Sequence, residues 1–176
     1  MKPVSDHTIT ESLDKHNNFQ PATPSESPSG HFGIGIYQVK TTPNVGSLWR
    51  AAYQLGAAYI FTIGNRYKPQ NSDVFKSWMR IPLFTYDSFE QMQSTAAYGC
   101  PLVGIEMGGT PLPEFQHPSR AIYLLGAEDS GIPNAVQDQC HHVVSIPAMR
   151  TPSYNVAHAG LLVMYDRMVK QRYDVG

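Results

Sequence analysis

The feature that most constrains the fold is a regular alternation of strand-like and helix-like segments after residue 30. Apolar runs rich in β-branched and aromatic residues predict strands at 32–39, 58–63, 81–84, 102–107, 121–125 and 143–146. Helices are predicted at 44–55 with Asn44 as N-cap, at 87–98 with Asp87 as N-cap, after Pro133 and at about 154–170, with a short one beginning at Ser72. This alternation predicts an α/β fold whose mainly parallel sheet carries helices on both faces.

Length and composition fit one domain, since the chain has 176 residues, 41% of them hydrophobic and 15% charged. Residues 1–30 are rich in Ser, Thr, Asn and Pro, which predicts a disordered polar tail before a domain at 31–176. They lack the pattern of a secretory signal, and no apolar run is long enough to span a membrane, so we expect a cytoplasmic protein. The distant Cys100 and Cys140 are expected to be reduced thiols.

Basic and acidic residues are distributed unevenly, although the net charge is only −1. Residues 81–138 contain seven acids and a single basic residue, Arg120. Residues 40–80 contain one acid, Asp73, and six basic residues: Lys40, Arg50, Arg66, Lys68, Lys76 and Arg80. Such a chain can present one basic face to phosphates, but scattered solvated charges explain the pattern equally well.

The first candidate motif is Asn44-Val-Gly-Ser-Leu-Trp-Arg50. Helix capping accounts for Asn44, and an Arg in an apolar helix can extend its charge to solvent. A guanidinium can also hold a phosphate through two hydrogen bonds and polarise a nearby hydroxyl. Arg50 is therefore a candidate functional residue.

The second motif is Leu124-Leu-Gly-Ala-Glu-Asp-Ser-Gly-Ile-Pro133, which leaves a buried strand. Gly126 permits close approach of the backbone to a ligand, and Glu128 follows at the carboxyl edge of the sheet, where parallel sheets bind ligands. An ordinary glycine-rich turn with solvated acids is the structural alternative. No histidine stands at a metal-ligand spacing, so no metal site is expected.

The third motif is Ile146-Pro-Ala-Met-Arg-Thr-Pro-Ser-Tyr-Asn155, followed by a helix. Ser153 and Asn155 are natural N-cap residues, which by itself explains their position. His158, one turn into the helix, is more typical of a core or interface histidine than of a general base. No nucleophile elbow frames Ser153, so a serine hydrolase is disfavoured.

In this order and spacing, the three motifs resemble those of the SpoU family of tRNA and rRNA methyltransferases, within the SPOUT superfamily. The resemblance covers about residues 31–172, and the segment 125–133 is its most specific part. It implies a fold with a C-terminal trefoil knot, an exception to the rule that chains are unknotted. It also implies a homodimer that packs through the last helix. The segment 148–152 lacks a Gly common in the family, and Tyr154 replaces an aliphatic residue.

The resemblance further implies that S-adenosylmethionine binds in the knot and that a ribose 2′-hydroxyl of RNA accepts the methyl group. The implied cofactor-binding residues are Ile105, Glu106, Leu125, Gly126, Ile146, Ala148, Ser153 and Tyr154. The implied catalytic residues are Arg50, Asn44, Glu128, Ser153 and Asn155. Arg50 would activate the hydroxyl, either by proton transfer coupled to an RNA phosphate or by stabilising the transition state. Because no folded RNA-binding domain precedes the motifs, tRNA is favoured over rRNA.

Three other functions stay open on the sequence. The chain is alternatively a non-catalytic RNA-binding protein of the same fold, a base-nitrogen RNA methyltransferase, or a generic nucleotide-binding α/β protein. Gly33 and Gly35, two positions apart, lie inside a predicted strand and are weak evidence for a nucleotide-binding protein.

Overall fold

A computed structural model of the chain describes residues 30–38, 40, 42–64, 80–96 and 98–173. The strands are β1 (His31–Tyr37), β2 (Tyr59–Ile63), β3 (Leu83–Tyr86), β4 (Leu102–Pro111), β5 (Arg120–Leu125) and β6 (His142–Ser145). The helices are α1 (Thr42–Gln54), α2 (Phe89–Thr95), α3 (Asn134–Gln137) and α4 (Val156–Tyr173), with a short 3₁₀ helix at Leu112–Glu114.

The six strands form one sheet in the order β3-β2-β1-β5-β4-β6. Within the described ranges, every pairing between these strands is parallel. β1 and β5, which are distant in sequence, lie side by side, so the segments that follow them meet at the same edge. The predicted α/β fold with a parallel sheet is therefore confirmed, while the C-terminal knot stays a prediction.

Two cores cover the two faces of the sheet, as the alternation of side chains along β5 shows. Tyr123 and Leu125 belong to the core beneath α1 and α4, whereas Ile122 and Leu124 belong to the core beneath α2 and α3. Successive side chains of a strand point to opposite faces, so β5 is buried on both sides. Helices on both faces were predicted, and this arrangement is confirmed.

Two glycines in β1 make room for aromatic rings that extend across it from β2. A Cβ atom on Gly33 would lie 2.2 Å from the ring of Tyr59, and one on Gly35 would lie 2.4 Å from the ring of Phe61. Gly33 and Gly35 therefore serve the packing of the sheet, which explains these residues without a nucleotide.

Some predicted boundaries were wrong. Asn44 lies inside α1, which begins at Thr42, and so it is not an N-cap. Ser88 rather than Asp87 caps α2, because its side chain accepts a hydrogen bond from the backbone N–H of Gln91 at 3.2 Å. The first predicted cofactor loop, at residues 105–106, lies within β4, which continues to Pro111.

Several predictions fall outside the described residues, among them the disordered tail at 1–30, apart from Gly30, and the helix beginning at Ser72. The described helices include none with the length and apolar character needed to cross a membrane. Cys100 and Cys140 are both free and partly buried, as expected for reduced thiols, and burial raises the pKa of the Cys140 thiol to about 11.

Candidate functional site

A cavity of about 510 Å³ opens at the carboxyl edge of the sheet, between the segments that follow β4, β5 and β6. This volume lies within the range of roughly 300–1,000 Å³ that is usual for small-molecule sites. The cavity is lined by all eight residues that the family resemblance implies for the cofactor: Ile105, Glu106, Leu125, Gly126, Ile146, Ala148, Ser153 and Tyr154. The structure thus brings the three segments together, while their role in binding stays a prediction.

A chain of side-chain hydrogen bonds connects the three sequence motifs beside this cavity. The amide nitrogen of Asn44 donates to a carboxylate oxygen of Glu128 at 2.6 Å. The amide oxygen of Asn44 accepts from the side-chain nitrogen of Asn155 at 3.0 Å. Three of the five predicted catalytic residues are therefore in direct contact, and Glu128 also lines the cavity.

Asn155 is the N-cap of α4. Its side-chain oxygen accepts from the backbone N–H of Ala157 at 3.0 Å and, less closely, from that of His158 at 3.4 Å. These groups belong to the first turn of the helix, where backbone N–H groups have no partner within the helix itself. One residue thus fixes the start of α4 and holds Asn44.

Arg50 lies apart from the cavity, on the exposed side of α1. It lines a shallow depression of about 230 Å³ together with Ala157, His158 and Leu161 of α4. The first turn of α4, whose N–H groups bond to Asn155, therefore also lies beside Arg50. His158 is exposed in this depression and is not a core residue.

The segment after β1 contacts the segment after β5 through an ion pair between Lys40 and Asp129. The hydrogen bond from the Lys40 ammonium holds the pKa of the Asp129 carboxyl below its usual value. Both side chains are more than half exposed, so the pair orients the two segments with little effect on stability. The charge pattern placed Lys40 in a basic stretch but did not predict this partner.

The last segment of the cavity wall is internally connected. The hydroxyl of Tyr154 donates to the backbone oxygen of Pro147 at 2.8 Å. Ser153 is exposed and lines the cavity. Ser145, which belongs to none of the three motifs, also lines it and donates to the backbone oxygen of Gly109 at 2.9 Å.

The turn after β5 requires a glycine at position 126, for a reason that the sequence alone does not show. A Cβ atom at this position would lie 2.4 Å from the backbone carbon of Gly131, which belongs to the same turn. The turn is closed by two backbone hydrogen bonds between Ala127 and Gly131, of 3.0 and 3.2 Å. The absence of a side chain at Gly126 is thus required by the turn, even though the residue also lines the cavity.

A parallel sheet, a cavity at its carboxyl edge and a polar cluster beside that cavity define an α/β protein built to bind a small molecule. The chain belongs to the SpoU rRNA Methylase family, whose model matches residues 31–165. A curated relative, the 23S rRNA (uridine(2479)-2′-O)-methyltransferase of Streptomyces viridochromogenes, is 29% identical over 150 residues. That match covers 78% of this chain and 52% of the relative.

Solved structures have the same fold. The SpoU methyltransferase AviRb from Streptomyces viridochromogenes, in complex with the cofactor AdoMet, matches with a TM-score of 0.70 and 24% identity, over 87% of this chain and 63% of that one. A structure solved to explain the 2-OH methylation of C/U34 on tRNA matches with a TM-score of 0.71 and 21% identity, over 81% of this chain and 97% of that one. The chain spans about half the length of its curated relative.

Proposed function

We propose that this protein is an S-adenosylmethionine-dependent RNA methyltransferase that modifies a ribose 2′-hydroxyl, with residues 31–176 as its catalytic domain. The observation that carries the proposal is the hydrogen-bonded set Glu128, Asn44 and Asn155, which joins all three family motifs at the edge of the cavity. Membership of the SpoU family and a relative named as a 2′-O-methyltransferase support the same function.

The lining of the cavity fits the proposed cofactor. Apolar side chains of Ile105, Leu125 and Ile146 offer contacts for an adenine or a methionine chain. The charged side chains among the described lining residues are carboxylates, those of Glu106, Glu128 and Asp129. S-adenosylmethionine carries a sulfonium and an ammonium against one carboxylate, whereas ATP and NAD would bring phosphates toward this acidic lining. The lining therefore disfavours a ligand with phosphates, which S-adenosylmethionine lacks.

When bound, S-adenosylmethionine supplies a methyl group that is already electrophilic, so the protein has to position the ribose and increase the nucleophilicity of its 2′-oxygen. Arg50 is the candidate for the second task. Its guanidinium can stabilise charge that develops on the oxygen, or it can give a proton to an RNA phosphate and then accept the proton of the 2′-hydroxyl. The hydrogen bonds among Asn44, Glu128 and Asn155 fix the positions of α1 and of the start of α4 relative to the segment after β5. Ser153 lines the cavity.

The proposed substrate is RNA, with tRNA favoured over rRNA. Matched structures include both kinds of enzyme, one described by rRNA methylation and one by the modification of tRNA. A cytoplasmic location belongs to the same proposal. The proposal also includes the basic face at 40–80 as a surface for RNA phosphates, of which Arg66, Lys68 and Lys76 lie outside the described residues.

The proposal includes a homodimer that packs through α4. Leu161 and Tyr165 on this helix are 41% and 55% exposed, and Tyr53 on the neighbouring α1 is 45% exposed. Exposed apolar side chains on a helix are typical of a surface that another chain covers. Light scattering of the purified protein should give twice the mass of the chain, and Leu161→Asp should reduce it to the monomer.

The function is tested by methyl transfer from labelled S-adenosylmethionine to total tRNA and rRNA, followed by nucleoside mass spectrometry. The expected product is a 2′-O-methylated nucleoside, and a substrate with the 2′-deoxy form of the target nucleotide should accept no methyl. Labelling of the deoxy substrate would identify a base-nitrogen methyltransferase instead. RNA binding that falls with salt, without any transfer, would identify a non-catalytic RNA-binding protein.

A further inference from the structure

We infer that Glu106 is a positioning residue, whose carboxylate holds the turn after β5 in the shape that forms one wall of the cavity. The inference rests on the proposed function and deepens it. It differs from the direct cofactor contact that the family resemblance implies for this residue.

The backbone of β4 leaves its regular pairing immediately after Ile105. Ile105 pairs with Val144 of β6, and the next pairing in β4, that of Thr110, is with the same residue. Residues 106–109 therefore form a bulge with no partner of their own in this ladder. Bulges redirect side chains beside functional sites, and this one starts at Glu106.

Both carboxylate oxygens of Glu106 accept backbone hydrogen bonds. One accepts from the N–H of the adjacent Met107 at 2.9 Å. The other accepts from the N–H of Ile132, 26 positions away, at 2.8 Å. Ile132 is only 2% exposed, so its N–H has little access to water as an alternative partner. A hydrogen bond to a charged acceptor at a buried donor is among the stronger ones in a protein.

Gly131 lies directly beneath this carboxylate. A Cβ atom on Gly131 would lie 2.3 Å from an oxygen of Glu106, and its φ of +63° is one that other residues rarely adopt. Gly131 is in turn packed against Gly126, whose Cβ would lie 2.4 Å from its backbone carbon. The glycine at position 131 of the second motif is thus explained by its contact with Glu106 of β4. Because Gly131 packs against Gly126, a displacement of Gly131 would also move the cavity wall at Gly126.

The test compares Glu106→Ala and Glu106→Gln with the wild type by calorimetric titration of S-adenosylmethionine and S-adenosylhomocysteine. The alanine variant should bind both compounds about tenfold more weakly or worse, and by the same factor, because a displaced wall affects both alike. The glutamine variant keeps an acceptor for Ile132 and should recover most of the affinity. Glu114→Gln is the matched control, since Glu114 is exposed in the 3₁₀ helix, and it should bind as the wild type does.

A loss confined to the cationic S-adenosylmethionine would overturn the inference, because it would indicate a direct contact between the carboxylate and the sulfonium. Wild-type affinity in Glu106→Ala would overturn it as well. If the alanine variant does not fold, Gly131→Ala provides the second measurement and should weaken both ligands in the same ratio. Failure of the wild type to bind either compound is a separate outcome, which would contradict the proposed function itself.

Discussion

The side-chain nitrogen of Asn155 donates a hydrogen bond to the side-chain oxygen of Asn44 at 3.0 Å, although 111 positions separate the two residues. Asn44 extends this contact to Glu128, and Asn155 extends it to the first N–H groups of α4. A single polar chain therefore couples the interior of α1, the turn after β5 and the start of the last helix. The contact gives each of the two asparagines a measurable role.

The two roles of Asn155 can be separated by substitution. Asn155→Ala removes both the helix cap and the contact with Asn44, and we expect it to destabilise the fold by about 0.5–2 kcal/mol. Asn155→Ser keeps a capping hydroxyl but is too short to reach Asn44. It should unfold close to the wild type in urea, yet methylate RNA more slowly by on the order of tenfold to a hundredfold. Wild-type turnover in the serine variant would show that only the cap matters.

Arg50 should affect turnover more than stability. Its side chain is exposed, so we expect Arg50→Ala to change the free energy of unfolding by only about 0.5 kcal/mol. Single-turnover methyl transfer should fall by on the order of 10²–10³, as for the loss of a group that stabilises the transition state. Arg50→Lys keeps the charge but not the planar, forked donors, and should recover little. Methylation at the wild-type rate by Arg50→Ala would refute the assigned role.

Local sequence signals predicted the elements of the fold well because they depend on near neighbours. The apolar run at 121–125 predicted β5, and Asn155 is indeed a cap. Asn44 was wrongly assigned as a cap, because its partners Glu128 and Asn155 are 84 and 111 positions away and leave no local signal. The position of Glu106 in a bulge depends likewise on the register between β4 and β6, which periodicity does not encode.

Gly35 is expected to be more sensitive to substitution than Gly33. Each Cβ would meet an aromatic ring, but Phe61 is only 1% exposed, whereas Tyr59 is partly exposed and has more freedom to move. We expect Gly35→Ala to destabilise the fold by about 1–3 kcal/mol and Gly33→Ala by less. Urea unfolding measures both. Combining Gly35→Ala with Phe61→Leu should cost less than the sum of the two single changes, and simple additivity would argue against the ring contact.

A buried polar network holds the C-terminal half of α4. The direction in which its hydrogen bonds run predicts that the stability of the fold depends on pH. The ring nitrogens of His117 lie 2.6 Å from the hydroxyl of Tyr123 and 2.9 Å from a carboxylate oxygen of Asp166. Arg167 donates to the same hydroxyl at 3.2 Å, and Lys170 pairs with Asp166 at 2.8 Å. The hydroxyl can accept from Arg167 and donate to His117 only while that ring nitrogen carries no proton.

Burial lowers the pKa of His117 from its ordinary value of 6.5, against the opposing effect of Asp166. The unfolded chain therefore takes up a proton as the pH falls below about 6.5, while the folded protein does not until a lower pH, and stability decreases over that window. Above pH 6.5 the group contributes no slope. Urea unfolding of the wild type and of His117→Gln between pH 5 and 8 measures this difference. The two curves should converge toward low pH, and curves that stay parallel would show that His117 is not the titrating group.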